Sequence, residues 1–135
     1  MMKKFILSAF SVIFFTFTSC SSKETPTPVT AVGDVTQRIG YFASHGWEAE
    51  EISEKDISIP SSFSDFYEEY ARMQDKQGLP LRKYAGRSAK LFVYEIKNYA
   101  PENRKILAEL LVCDNIAVAS MVYSEDGESL RMPVS

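Results

Sequence analysis

In the second half of the chain, apolar residues alternate with other residues in short segments. Phe92, Tyr94 and Ile96 occupy every second position, and this spacing gives a β-strand one apolar face. Residues 107–113 and 116–123 form two further apolar segments of strand length. The pattern therefore predicts three β-strands in this half of the chain.

Turn residues separate these strands and indicate how they pair. Asp114 and Asn115 tolerate the positive φ that a two-residue hairpin turn requires, so the segments on either side are predicted to pair as antiparallel strands. After a further turn at residues 125–128, residues 130–134 are predicted to form a short edge strand. The sequence thus predicts three or four strands in one antiparallel sheet.

Two segments in the first half have the period of amphipathic helices instead. The first helix is predicted to begin at Asp34, which forms a capping-box pattern with Gln37. It is predicted to end at Gly46, because glycine readily adopts the left-handed conformation found at helix C-termini. Trp47 is then expected to pack back on Phe42.

The second helix is predicted to begin at Ser62, with Asp65 three residues later, and to end at Gly78. Its apolar stripe is mostly aromatic, which is typical of a helix face packed into a core. An aromatic platform for a ligand is the alternative interpretation. The stripe consists of Phe63, Phe66, Tyr67, Tyr70 and Met73.

The first residues of the chain have the pattern of an export signal. Lys3 and Lys4 precede an apolar stretch at residues 5–17, which suits a signal peptide but is too short to cross a bilayer. The stretch ends in a pattern that resembles a bacterial lipobox, in which a cysteine receives the lipid. We therefore predict a lipoprotein signal peptide over residues 1–19 and lipidation of Cys20. An ordinary cleaved signal followed by an unrelated cysteine is the alternative.

Residues 20–33 are rich in Ser, Thr and Pro, so we predict a flexible tether behind the lipidated cysteine. Residues 34–135 are predicted to form a single small domain, because a chain of 135 residues leaves little room for a second core. The predicted class is α+β, with two helices packed on a three- to four-stranded antiparallel sheet.

The composition is that of a globular protein, with 45% hydrophobic and 24% charged residues. The formal charge of the whole chain is −3 at pH 7, and it becomes more negative once Lys3 and Lys4 leave with the signal. A compact acidic domain repels polyphosphate, so we do not expect nucleic acid as a partner.

Residues that could carry catalysis or bind a metal are few. His45 is the only histidine and falls in the last turn of the first predicted helix, where a structural role is expected. Cys113 lies in an apolar strand and is expected to be a buried thiol, since lipidation consumes Cys20. The acidic residues 48–56 match no calcium loop and are expected to form an exposed strand-and-loop edge. We therefore expect no metal, no cofactor and no enzymatic activity.

Several short motifs occur in the order in which they appear in a known family of small domains. They are Gly46-Trp47, Ile59-Pro60, Gln77-Gly78, Tyr84-Ala85-Gly86, Asn98-Tyr99 and Leu110-Leu111-Val112, with Phe63, Tyr67, Tyr70, Gln74 and Tyr94 among them. Over most of residues 36–123 the chain resembles the domain-of-unknown-function family 4830 of exported proteins and lipoproteins. The resemblance implies export and a small folded domain, and it supplies no activity because none is assigned to that family.

These observations lead us to expect a membrane-anchored envelope lipoprotein whose non-enzymatic domain binds a protein partner or modulates an envelope complex. The alternative is a small-ligand receptor or carrier that uses the tyrosines Tyr41, Tyr84, Tyr99 and Tyr123. If these four side chains line one concavity, the ligand hypothesis is favoured; if they are scattered or lie on a flat patch, the partner hypothesis is favoured.

Overall fold

The structure is a computed structural model and describes residues 29–135. The predicted signal peptide, Cys20 and most of the predicted tether lie outside these residues. The described part contains two α-helices and five β-strands. They are Val35–Ala43 (α1), Ala49–Ser58 (β1), Asp65–Gln77 (α2), Ser88–Ile96 (β2), Ile106–Cys113 (β3), Ile116–Ser124 (β4) and Arg131–Met132 (β5).

The five strands form one antiparallel sheet in the order β1-β2-β3-β4-β5, so each strand pairs with its neighbours in sequence. The predicted α+β class is confirmed, with one strand more than predicted. The additional strand is β1, which contains most of the acidic segment and pairs with β2 along its length. The predicted hairpin between β3 and β4 is also confirmed, since Asp114 and Asn115 have φ values of 53° and 66°.

Helix α1 covers one face of the sheet. Phe42 packs there against Tyr94 and other buried apolar residues of the strands, and we call this cluster the α1 core. The helix begins with the predicted capping box of Asp34. At its end Gly46 has a φ of 88°, and the Trp47 amide donates to the Phe42 carbonyl at 3.0 Å. The half-buried Trp47 thus packs against this core as predicted.

Helix α2 covers the opposite face, where Ala71 and Leu81 pack against buried residues of the strands. The predicted end of the helix is confirmed, because Gly78 has a φ of 76°. The predicted start at Ser62 is wrong, because the Oγ of Ser64 caps the helix by accepting from the Tyr67 amide at 3.3 Å. An N-cap side chain accepts from an amide in the first turn of the helix, and since the helix begins at Asp65 the N-cap residue is Ser64.

The fold begins before Asp34, the boundary that the sequence predicts. The Val32 amide donates to the Asn115 carbonyl and the Ala117 amide donates to the Thr30 carbonyl, both at 2.9 Å. Val32 is fully buried in the α1 core. The last residues of the predicted tether therefore pair with the first residues of β4 and belong to the domain.

A buried ion pair connects α1 to the sheet. The Arg38 Nε and Nη2 atoms donate to the two Glu51 carboxylate oxygens at 2.8 and 3.2 Å, and the Tyr94 hydroxyl donates to the same carboxylate at 2.8 Å. Burial alone would raise the pKa of Glu51, but the hydrogen bonds from Arg38 and Tyr94 and the charge of Arg38 lower it overall. The Arg38 guanidinium also lies 3.9 Å from the ring centroid of Phe92.

We predict that Glu51→Gln destabilises the domain by about 2–3 kcal/mol at pH 7, because it leaves the buried Arg38 guanidinium without a carboxylate. The exposed Glu50 pairs with Lys97, so the control Glu50→Gln should cost less than about 1 kcal/mol. Urea unfolding followed by Trp47 fluorescence measures the free energy of unfolding of both variants. Because the pKa of Glu51 lies below its ordinary value of 4.5, its contribution is present above pH 4.5 and is lost as the pH falls through the folded-state pKa. Equal losses for the two variants would contradict this role.

Candidate functional site

A cavity of about 570 Å³ lies between α2 and the sheet. Phe66, Tyr67, Glu69, Tyr70 and Met73 form its helical wall, and side chains of the strands form its floor. We call this cavity the α2 cleft. Its volume and its mostly apolar lining are typical of ligand sites, which measure roughly 300–1,000 Å³. The floor and rim consist of Ile57, Leu91, Glu109, Leu111, Met121, Tyr123, Gly127 and Arg131.

The predicted core role of the aromatic stripe is confirmed in part. Phe63, Tyr67 and Tyr70 are half-buried and pack against the buried residues on this face of the sheet, and the cleft lies between the stripe and the strands. The residues of α2 that are buried are Ala71 and Gln74, whereas Phe66 is 62% exposed. Side chains in the C-terminal half of the helix bind the edge of β4: Gln74 Oε1 accepts from the Ser120 amide at 2.9 Å, and Gln77 Nε2 donates to the Ser120 carbonyl at 3.0 Å. The helix is therefore held at this edge, and its aromatic residues form a wall above the sheet.

Glu109 of β3 lies in the floor of the cleft and accepts a hydrogen bond of 2.9 Å from the Tyr70 hydroxyl. Burial raises the pKa of Glu109, and this effect outweighs the Tyr70 hydrogen bond and the positive charges of Arg131 and Lys55, which lower it. Burial and the neighbouring carboxylate raise the pKa of Tyr70 well above its ordinary value. Tyr70 therefore remains a neutral donor at physiological pH.

Other polar side chains converge on the same carboxylate. Burial and the nearby Glu109 raise the pKa of Tyr123 to about 12, and the same two causes raise the pKa of Tyr67. At the mouth, the Arg131 guanidinium lies 5.1 Å from the ring centroid of Phe66. The cleft thus combines aromatic walls with a half-buried carboxylate in its floor, an arrangement that can hold an apolar body and orient a polar group.

The four tyrosines proposed from the sequence do not line one concavity. Tyr41 is only 7% exposed, because it packs in the α1 core with its hydroxyl 2.7 Å from the Ser120 Oγ. Tyr99 is exposed and Tyr84 is half-buried at other places on the surface. Of the four, Tyr123 alone lines the α2 cleft. This scattered distribution favours the partner hypothesis by the criterion set from the sequence, so a small-ligand function has to be supported by the α2 cleft and not by these four tyrosines.

Sequence reasoning missed Glu109 as a site residue. Tyr67 and Tyr70 fit both interpretations of the aromatic stripe, since they pack against the core and also line the cleft. A signal for Glu109 was present, because it is the one charged residue in the apolar segment of residues 107–113. Its strand position places it on the same face as Leu107 and Leu111. A lone carboxylate on an otherwise apolar strand face indicates a buried charge with a specific partner or role.

The remaining candidate residues lie away from the cleft. His45 is exposed at the end of α1, on the opposite face of the sheet, with its ring centroid 5.2 Å from that of Tyr41. Cys113 is buried as predicted, and its Sγ donates to the Ser88 carbonyl at 3.3 Å. Burial raises the pKa of the Cys113 thiol. Within residues 29–135, no cluster of three or more His, Cys, Asp or Glu residues could hold a metal ion.

Two of the motifs that resemble the family meet in space. The Asn98 side chain donates to the Gly46 carbonyl and accepts from the Glu48 amide, both at 2.9 Å. The Tyr99 ring packs edge-on against Trp47 with centroids 5.8 Å apart. These contacts hold the loop after α1 against the end of β2, so a structural role accounts for both motifs.

Comparisons with protein-family models, with curated proteins and with solved structures found no match to this chain. The resemblance to the domain-of-unknown-function family 4830 therefore stays a prediction. Across the described part of the chain, no helix has the length and apolar character needed to cross a membrane.

We predict that Glu109→Gln raises the thermal stability of the domain at pH 7.5. The pKa of Glu109 is raised in the folded state, so folding becomes less favourable as the pH rises from the ordinary value of 4.5 through the folded-state pKa. Glutamine removes this penalty and can still accept the Tyr70 hydrogen bond. Melting curves should show the gain at pH 7.5 and little difference at pH 4.

The exposed Glu69 of α2 provides a matched control, because Glu69→Gln makes the same carboxylate-to-amide change where burial is small. Its melting temperature should stay close to that of the wild type at both pH values. A Glu109→Gln protein less stable than the wild type at pH 7.5 would contradict the assignment of Glu109 as a carboxylate that burial destabilises.

Proposed function

We propose that this protein is a membrane-anchored envelope lipoprotein whose domain binds a small ligand in the α2 cleft. The observation that carries the proposal is the cleft itself, with a volume of about 570 Å³, aromatic walls and a single carboxylate in its floor. Ligand sites typically have this combination of an apolar lining with a few convergent polar groups and perturbed pKa values. Met73 and Met121 add flexible side chains that adapt to the shape of a ligand.

The N-terminal sequence supports the anchoring part of the proposal. Lys3 and Lys4, the apolar residues 5–17 and Cys20 follow one another as they do in lipoprotein signals. The acyl chains on the cysteine would hold the protein at the membrane, since each buried methylene contributes about 0.8 kcal/mol. Ser21 after the cysteine favours the outer membrane in a host that has one.

Binding of a protein partner is the second candidate function, and one observation favours it. Phe66 is 62% exposed at the mouth of the cleft, and a large exposed aromatic residue beside a cavity is typical of surfaces that anchor a partner side chain. In that case the cleft would accept a side chain of the partner in place of a free ligand.

The lipid anchor can be tested directly by Cys20→Ala. We predict that this variant leaves the membrane fraction or accumulates as an uncleaved precursor, because no other thiol is available at the cleavage site. Fractionation of cells and intact-mass measurement distinguish these forms. Normal membrane retention of a correctly processed Cys20→Ala protein would overturn the lipoprotein proposal.

The cleft can be tested with N-phenyl-1-naphthylamine, an apolar probe whose fluorescence rises on binding. The protein is the mature chain from residue 20 with Cys20→Ala, so that no lipid competes for the probe. We predict saturable binding that Leu91→Trp weakens at least about tenfold, since Leu91 lines the cleft and an indole there would occupy it.

Ile39→Trp serves as the control for this experiment. Ile39 is also half-buried, but it lies on α1 and packs on the opposite face of the sheet, away from the cleft. This variant should bind the probe as the wild type does. A wild-type protein without saturable binding, or equal binding by the two folded tryptophan variants, would overturn the small-ligand proposal.

A further inference from the structure

The carboxylate of Glu109 is an unusual group for the floor of an apolar cleft. Within residues 29–135, its hydrogen-bond donor is the Tyr70 hydroxyl, and no ion pair to it is formed by a Lys or Arg side chain. Arg131 and Lys55 act on it only through their charges at longer range. Glu109 is half-buried, and a carboxylate that is partly removed from water without an ion pair costs free energy, which a cationic group of a ligand would offset.

The aromatic walls attract cations, as the carboxylate does. The Tyr67 and Tyr70 rings lie 5.5 Å apart at an angle of 67°, so the two rings form walls that face different directions. The faces of aromatic rings are electron-rich and attract cations that lie within about 6 Å of the ring centre. Tyr123 closes the cleft from the side of β4.

The chain itself already places a cation on one of these walls. The Arg131 guanidinium lies 5.1 Å from the Phe66 ring centroid and is held there by a hydrogen bond of 3.0 Å from its Nε to the Gly127 carbonyl. Arg131 is therefore at the mouth of the cleft and not at its floor. A ligand cation that enters the cleft would compete with Arg131 for the aromatic surface and would reach Glu109 beyond it.

We infer that the ligand of the α2 cleft is an organic cation: an ammonium group that binds Glu109, carried on an apolar body that packs against the tyrosines and methionines. This inference rests on the proposed function, because it names the class of ligand for the same site. Glu69 adds a second negative charge to the lining. Among residues 29–135, Arg131 is the one cation of this lining against the two carboxylates, and the remaining negative charge disfavours anions such as fatty-acid carboxylates.

Three probes of nearly equal size separate charge from apolar packing: 3-phenylpropan-1-amine, 3-phenylpropan-1-ol and 3-phenylpropanoate. At pH 7.5 these are a cation, a neutral molecule and an anion. Titration of the mature Cys20→Ala chain, followed by amide chemical shifts, should give the tightest binding for the amine and the weakest for the carboxylate. We expect the amine to bind at least about tenfold more tightly than the alcohol.

Substitutions then test whether Glu109 causes this preference. Glu109→Gln should reduce the affinity for the amine to that for the alcohol and leave the alcohol nearly unchanged. Glu95→Gln is the control, because Glu95 lies on the same face of the sheet outside the cleft and pairs with Lys97. Arg131→Gln should tighten amine binding severalfold, since it removes the competing cation and its like charge.

The outcomes distinguish this inference from the proposed function. If the alcohol binds as tightly as the amine, or if Glu109→Gln weakens both equally, the cleft is a ligand site but not one for cations. If Arg131→Gln leaves amine binding unchanged or weakens it, competition at the aromatic wall is refuted. If none of the three probes binds at millimolar concentration, both the inference and the small-ligand function are overturned.

Discussion

The position of α2 depends on how the buried edge of β4 obtains its hydrogen bonds. Buried main-chain groups require partners, and β5 pairs with β4 only at Val122 and Tyr123. At Ser120 the side chains of Gln74 and Gln77 supply the partners of the amide and the carbonyl. Gln77 Oε1 also accepts from the Val134 amide at 2.8 Å. Two glutamines of a helix thus take the place of a neighbouring strand.

Holding α2 at this edge of β4 has a free-energy cost. Gln74 is completely buried, and its Nε2 atom has no hydrogen-bond partner among residues 29–135, which costs about 1–3 kcal/mol. Because the helix is fixed by this half, its aromatic half stands over Glu109 and leaves Phe66 exposed. The exposed ring of Phe66 and the carboxylate of Glu109, which has no ion pair among residues 29–135, therefore both lie in the α2 cleft. Such exceptions to close packing and charge pairing are common at functional sites.

The sequence predicts those parts of the fold that local contacts determine. The capping box at Asp34 and the turn at Asp114 involve residues no more than a few positions apart, and both were found. The placement of α2 follows from contacts between residues 46 and 43 positions apart in the chain, which no local pattern contains. The same reason explains why the exposure of Phe66 was not predicted. Strand β1 was only partly predicted, since its partner β2 lies far along the chain and few of its residues are apolar.

The two faces of the sheet differ in a way that fits an anchored binding domain. On the α1 face, the ion pair of Arg38 with Glu51 and the packing of Trp47 hold helix and strands together. The chain enters this rigid side through Ala31, which pairs with Ile116 at the start of β4. Tyr123 of the cleft lies seven residues further along the same strand, a distance of about 23 Å. Glu109 pairs with Met121, five residues after Ile116, so under the proposed anchoring the tether would join the sheet about 17 Å along β4 from the floor of the cleft.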